Sequence, residues 1–244
     1  MKLLLALCLS SCIFAFSKPA FAETPLRVLI LSGAGEYNSD GSFAAFKSFV
    51  EIKYNVACTV VSGKEASLND LPALEQLEKT GVFIVFCRRF TLPKEQLELI
   101  KKYVLSGKPL IGIRTASHAF QDWLEMDKLV LGGNYKNHYG DEPAEVSIVE
   151  KAKDHPVLAG VKPPAATRKL YKNTGLSEDD TILLTAATKT YSEPVAWTRT
   201  VNGVRVFYTS LGTQEDFESD GFKQMLANAI FWTANRVPEL KPAK

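Results

Sequence analysis

Between residues 26 and 113, short aliphatic runs alternate with segments of helical periodicity, and this alternation constrains the fold more than any other feature of the chain. Leu26 to Leu31 is a nearly unbroken aliphatic run ending at Ser32-Gly33-Ala34-Gly35, as expected of a strand buried on both faces. Phe43, Phe46, Phe49 and Val50 then recur at helical spacing, and Val56 to Val61 reads as a second strand. A helix is expected around Leu71 to Leu77, followed by a third buried strand from Val82 to Cys87. Pro93 starts the next helix, whose stripe is Leu97, Ile100 and Val104, and Gly107 is placed to end it. Leu110 to Ile113 is a fourth strand that runs straight into Arg114-Thr115-Ala116-Ser117-His118. Strands separated by helices in this way predict a parallel sheet covered on both faces.

The second half is less regular. Ala144 to Val149 alternates like a strand, and Ile182 to Ala187 is another. Val195 to Thr200 and Val204 to Tyr208 read as a hairpin closed by Asn202-Gly203. A last helix carries Phe222, Met225, Leu226, Ala229 and Ile230 on one face. The expected fold is a single domain over residues 23–244. It is a three-layer α/β/α sandwich with a mostly parallel sheet and an antiparallel extension.

Residues 1–22 read as a secretory signal peptide: Lys2, then an apolar run from Leu3 to Phe16, then Ala20-Phe21-Ala22 as the cleavage site. The competing reading is a lipoprotein box, Leu9-Ser10-Ser11-Cys12, but only a short apolar run precedes it. Cleavage after Ala22 predicts a periplasmic or secreted protein. No later run approaches a transmembrane segment. The 29 basic residues lose Lys2 and Lys18 with the signal and then match the 27 acidic ones. A balanced chain has no general pull toward nucleic acid or anionic lipid. Cys58 and Cys87 remain, both in apolar runs, and read as buried free thiols.

In an open parallel sheet, ligands gather at the carboxyl ends of the strands, which selects Gly33–Asn38, Arg88–Phe90 and Arg114–Phe120. Gly33-Ala34-Gly35 lacks the third glycine of a dinucleotide fingerprint. Leu110 to His118 has the pattern of a nucleophile elbow, yet its apex is Arg114, which cannot attack. Arg114 suits a carboxylate, a hydroxyl pair or a developing oxyanion, and a structural salt bridge is the plain alternative. His138 lies in a polar, aromatic, glycine-bearing loop, Gly132 to Gly140, of the composition that suits a polyol. His155, in Asp154-His155-Pro156-Val157, reads as a turn residue.

The ordered set of segments resembles the ThuA-like family, named for trehalose utilisation. They are Gly107-Lys108-Pro109-Leu110 through Phe120, Gly132-Gly133-Asn134-Tyr135-Lys136-Asn137-His138, Asp154-His155-Pro156-Val157, Pro194 to Thr198, Arg205 to Gly212 with Asp216-Phe217, and Asn228 to Trp232. The resemblance implies a flavodoxin-like, class I glutamine amidotransferase-like fold without glutaminase chemistry. It also implies a small-molecule carbohydrate, such as a keto-sugar or trehalose-type glycoside, as the partner. Carried over, Arg114, Thr115, Ser117 and His118 form the elbow, His138 the facing loop, and Gln214 and Asp216 follow a strand end. The expected acid/base groups are His118 and His138, assisted by Glu36 or Asp216, with Arg114 on an oxyanion. Gly35, Tyr37, Thr115, Ser117, Asn134, Tyr139 and Gln214 are expected to contact substrate. The alternative is a non-catalytic carbohydrate-binding module. No cofactor is required. Some relatives look able to bind a divalent metal; here only His118, His138 and a carboxylate such as Glu36 or Asp216 could assemble that site. The oligomeric state stays open.

Overall fold

The computed structural model describes residues 24–241 apart from 174 and 202, so the signal segment, Cys12 and Asn202 of the expected turn lie outside the described residues. The strands are β1 (Leu26–Gly33), β2 (Val56–Ser62), β3 (Val82–Cys87), β4 (Leu110–Ile113), β5 (Ala144–Ile148), β6 (Ala166–Thr167), β7 (Thr181–Ala187), β8 (Ser192–Val201) and β9 (Val204–Thr209). The helices are α1 (Ser39–Lys53), α2 (Lys94–Leu105), α3 (Gln214–Glu218) and α4 (Asp220–Thr233). All nine strands lie in one sheet in the order β2-β1-β3-β4-β9-β8-β7-β5-β6.

The sheet is mixed, and this corrects the expectation of a mostly parallel one. β2, β1, β3, β4 and β9 pair in parallel. β9–β8, β8–β7, β7–β5 and β5–β6 are antiparallel. The reason is chain length between strands. A parallel pair needs a crossover of a dozen or more residues, whereas β7, β8 and β9 are joined by short turns that allow only antiparallel return. Gly203, at φ +81, helps make the β8–β9 turn. β9 is the strand at which the two halves meet, parallel to β4 on one side and antiparallel to β8 on the other.

Alternating strand residues feed two cores, which is why the first strands are apolar throughout. Val28, Ile30, Ile84 and Phe86 pack with Phe43 and Phe46 of α1 and with Phe222 and Met225 of α4. Leu29, Leu31, Phe83 and Val85 pack on the opposite face with Leu97, Ile100 and Val104 of α2. The helix expected around Leu71–Leu77 is instead a run of tight three-residue turns over Pro72–Lys79. Only Leu74 and Leu77 are buried there, and an i,i+3 pair is the spacing that such a winding aligns. Cys58 and Cys87 are buried and free. Burial and Glu51 push the Cys58 thiol up to about 12 against the pull of Lys47, and burial alone raises Cys87 well above its ordinary value.

Phe43 is fully buried, with its ring edge-on to Phe86 at 5.9 Å and to Phe217 at 5.6 Å. It ties α1, β3 and α3 together beneath the carboxyl edge of the sheet. Phe43→Ala should therefore lower unfolding free energy by about 3–5 kcal/mol, read from the urea midpoint at unchanged slope.

Candidate functional site

β4 is only four residues long and ends at Ile113; the next residue, Arg114, takes φ +46 and opens a tight turn to His118. Gly112 permits this sharp exit, because a Cβ there would lie 2.9 Å from both Leu131 and Tyr208. A left-handed arginine is unfavourable by roughly 1–2 kcal/mol, and the surroundings hold it in place. The Tyr208 hydroxyl donates to the Arg114 carbonyl at 2.7 Å, and Thr115 Oγ1 donates to the Cys87 carbonyl at 2.8 Å, tying the turn back to β3.

The Arg114 side chain is 1 % exposed. Nη1 donates to Ser210 O at 2.6 Å, and Nη2 to Arg168 O at 3.2 Å and Lys169 O at 3.4 Å. The guanidinium carbon lies 4.4 Å from the Tyr37 ring centre and 4.7 Å from that of Tyr171. Burial works against its charge, but the rings of Tyr171 and Tyr37 and the Asp216 carboxylate outweigh that, and it stays protonated. Arg114 is therefore the buried hub of the elbow, with its terminal nitrogens committed to main-chain carbonyls. The salt-bridge alternative is replaced by a carbonyl cradle.

Asp216 is also buried. Its Oδ2 accepts from Gly212 N at 2.7 Å, Thr213 N at 2.9 Å and Thr167 Oγ1 at 3.2 Å, while Thr213 Oγ1 accepts its N–H in a capping box that starts α3. Burial raises its pKa, opposed by those donors and by Arg114. The carboxylate holds the loop after β9 in place.

Over this base sits an aromatic cluster. The His118 ring stacks on Tyr135 at 4.7 Å and lies 6.4 Å from Tyr171, and Tyr135 and Tyr171 are 4.5 Å apart. Ser117 Oγ is 3.0 Å from His118 Nδ1. Burial and the charges of Arg88, Arg89 and Arg114 lower the His118 pKa to about 4, with only Glu36 opposing them. The imidazole is thus neutral at ordinary pH. Glu36, at the rim, accepts from Lys169 Nζ at 2.6 Å and lies 4.0 Å from Arg88 Nη1. Burial pushes its carboxyl up, but Lys169, Arg88 and Arg114 together hold it below the usual carboxylate range. Arg88 is ion-paired to Glu65, whose other oxygen accepts the Glu36 N–H at 3.2 Å.

The other expected site residues are distributed as follows. Gly35 and Tyr37 lie in the turn after β1, Gly35 exposed and Tyr37 beneath Arg114. His138 is exposed, its main chain bridged to Tyr171 and its Nδ1 2.5 Å from Tyr139 O. This places the loop on the same side of the sheet edge as the elbow, with the imidazole outside the tyrosine cluster. Tyr139 belongs to a separate group, stacked on Tyr191 at 3.9 Å and donating to Glu193 at 2.8 Å. Asn134 is half-buried beside Gly175. Gln214 accepts from Asn38 at 3.5 Å across a cleft of about 380 Å³ between α1 and α3. His155 acts as a cap, accepting from Val157 N at 3.2 Å. Among the described residues no three His, Cys, Asp or Glu side chains converge as a metal site. His118, His138, Glu36 and Asp216 each have other neighbours, so the donor set anticipated for a divalent ion does not assemble.

Sequence reasoning selected the Arg88–Phe90 segment without naming Arg88 or Arg89, and it missed Tyr135, Lys169 and Tyr171. Tyr135 sat in the polar loop already singled out. Lys169 and Tyr171 carry no local signal: they reach the elbow only because residues 165–173 run past it.

A strand-to-turn elbow at the carboxyl edge of parallel strands, inside a helix-covered mixed sheet, defines an α/β class of protein, here with arginine at the elbow apex. The chain belongs to the ThuA family, whose model, described as trehalose utilisation, matches residues 27–233. Among solved structures it is similar to a ThuA-like protein of Parabacteroides merdae, with 19% identity, TM-score 0.64 and coverage of 87% of this chain and 91% of that one. A ThuA-like protein of Bacteroides uniformis gives 20%, 0.61, 88% and 95%. The carbohydrate deacetylase Agd3 gives 13% and 0.52, with 86% of this chain lying on 32% of that one. At these identities the likeness is one of fold. No curated protein matches the chain significantly.

The neutral His118 couples folding to pH. Its folded value of about 4 lies below the unfolded 6.5, so its contribution is full above pH 6.5 and is lost as pH falls toward 4. Wild type should lose about 2–3 kcal/mol more than His118→Gln over that window, measured by urea unfolding at a series of pH values.

Proposed function

We propose that this ThuA family member is an exported enzyme of carbohydrate metabolism that moves a proton next to the carbonyl of a keto-sugar or keto-glycoside. The observation that carries the reading is a neutral imidazole, His118, stacked among tyrosines with three guanidinium groups around it. Tyrosine faces suit the apolar face of a sugar ring. The guanidinium field favours negative charge developing on a substrate oxygen, which acidifies the adjacent C–H. His118 then takes the proton. A base with so low a pKa is weak, so the oxyanion stabilisation supplies most of the rate. Glutaminase chemistry has no nucleophile here: Arg114 holds the elbow apex, and the Cys87 thiol is buried and protonated.

One observation favours a second reading, a carbohydrate-binding module without turnover. Arg114 and Asp216 are occupied in holding the main chain, which leaves His118 without an obvious catalytic partner.

Turnover of 3-keto-glucosides by the purified protein separates the two. The enzyme reading expects kcat/KM to be flat from neutral pH down to about 5 and to fall with a pKa near 4 in place of 6.5. His118→Ala should lose about 10²-fold or more, while His138→Ala stays within a few-fold of wild type. Saturable sugar binding with no turnover at any pH would sink the enzyme reading in favour of the second. Export is checked by N-terminal sequencing of protein from the periplasm or medium, where Glu23 is the expected first residue.

A further inference from the structure

The cations at the mouth of the tyrosine cluster are not equivalent. Arg88 is paired with Glu65, and Lys169 with Glu36, so both nearby carboxylates are engaged. Arg114 is buried and spent on carbonyls. Arg89 is exposed, and among the described residues its guanidinium has neither an ion pair nor a hydrogen bond. Its backbone stands at φ +54, a conformation that glycine adopts freely and an L-residue does not. The position is set by the elbow: Arg89 N–H donates to His118 O at 3.0 Å, and Phe90 N–H donates to Ala119 O at 2.7 Å. The main chain of Arg89 is thus anchored to the histidine turn in a strained conformation, while its side chain has no partner among the described residues. Such strain at a sheet's carboxyl edge is a mark of function.

We propose that the carbohydrate bound at this site carries a carboxylate, which Arg89 grips through its planar fork beside His118: the substrate class is a sugar acid. This rests on the carbohydrate reading above and narrows it. One uncompensated cation matches one negative charge, and a guanidinium presents two parallel N–H donors to the two oxygens of a carboxylate. The same positive field is felt by the imidazole, where it adds to burial in holding the His118 pKa down.

Calorimetric titration of the full purified chain with D-glucuronate, D-glucose, D-glucose 6-phosphate and acetate tests the assignment. Glucuronate should bind about tenfold or more tightly than glucose at low salt, with the advantage shrinking as ionic strength rises, and acetate alone should bind weakly. Arg89→Gly suits the left-handed backbone, so its melting temperature should equal or exceed that of wild type while the glucuronate preference disappears. Equal affinity for glucose and glucuronate would overturn the sugar-acid assignment and leave the carbohydrate reading standing. Tighter binding of glucose 6-phosphate, or a preference that survives in Arg89→Gly, would overturn it as well. Failure of the wild type to bind glucuronate while it turns over 3-keto-glucosides would overturn the assignment alone; failure to bind or turn over either class would remove the carbohydrate reading itself.

Discussion

A single buried cation organises the carboxyl edge of this sheet. The Arg114 guanidinium cannot be left unsolvated, because an unpaired charge in the interior is costly by several kcal/mol even after relaxation. The chain answers with two tyrosine faces and carbonyls from Ser210, Arg168 and Lys169. Those partners come from three separate stretches: the turn after β1, the end of β9, and the segment 168–171, which supplies both main-chain carbonyls and the Tyr171 ring. Satisfying one charge therefore brings together segments that share no local preference for one another. It also explains why a non-glycine residue is tolerated at φ +46: the contacts that hold the side chain also hold the backbone.

The consequences spread outward from that hub. Tyr171, drawn in against Arg114, supports Tyr135, which in turn supports His118. The rings occupy the space over the elbow, and the burial they impose, together with the positive charge beneath and beside them, keeps the imidazole unprotonated. Glu36 and Glu65 neutralise only part of this field, because each is already committed to Lys169 or Arg88. The site is thus aromatic on its walls and positive in its field, with little free carboxylate.

Much of the parallel half of the fold was legible in the chain. A strand buried on both faces must be apolar at consecutive positions, and Leu26–Leu31, Val82–Cys87 and Leu110–Ile113 show that within a few residues. The antiparallel half was read strand by strand, yet its weight in the sheet was underestimated, because the pattern of a half-buried strand says nothing of how many neighbours it will acquire. Leu74 and Leu77 fit a helix and a tighter winding equally well, because residues three apart share a face in both. In the site, the segments Gly33–Asn38, Arg88–Phe90 and Arg114–Phe120 were picked from the rule that strands deliver ligand loops at their carboxyl ends. Tyr139 was grouped with the elbow on loop composition and Gln214 on the family resemblance; the fold sets Tyr139 against Tyr191 and Glu193, and Gln214 against Asn38.

The linear order of residues was enough to determine the alternation of strand and helix, the family, the arginine at the elbow apex and the absence of a nucleophile there, since each depends on side chains adjacent along the chain. Folding in three dimensions decided the rest: that Asp216 caps a loop, that Lys169 and Tyr171 stand beside Arg114, and that His118 is neutral. Those properties depend on distances between residues tens of positions apart and on the water excluded between them, and packing alone sets both.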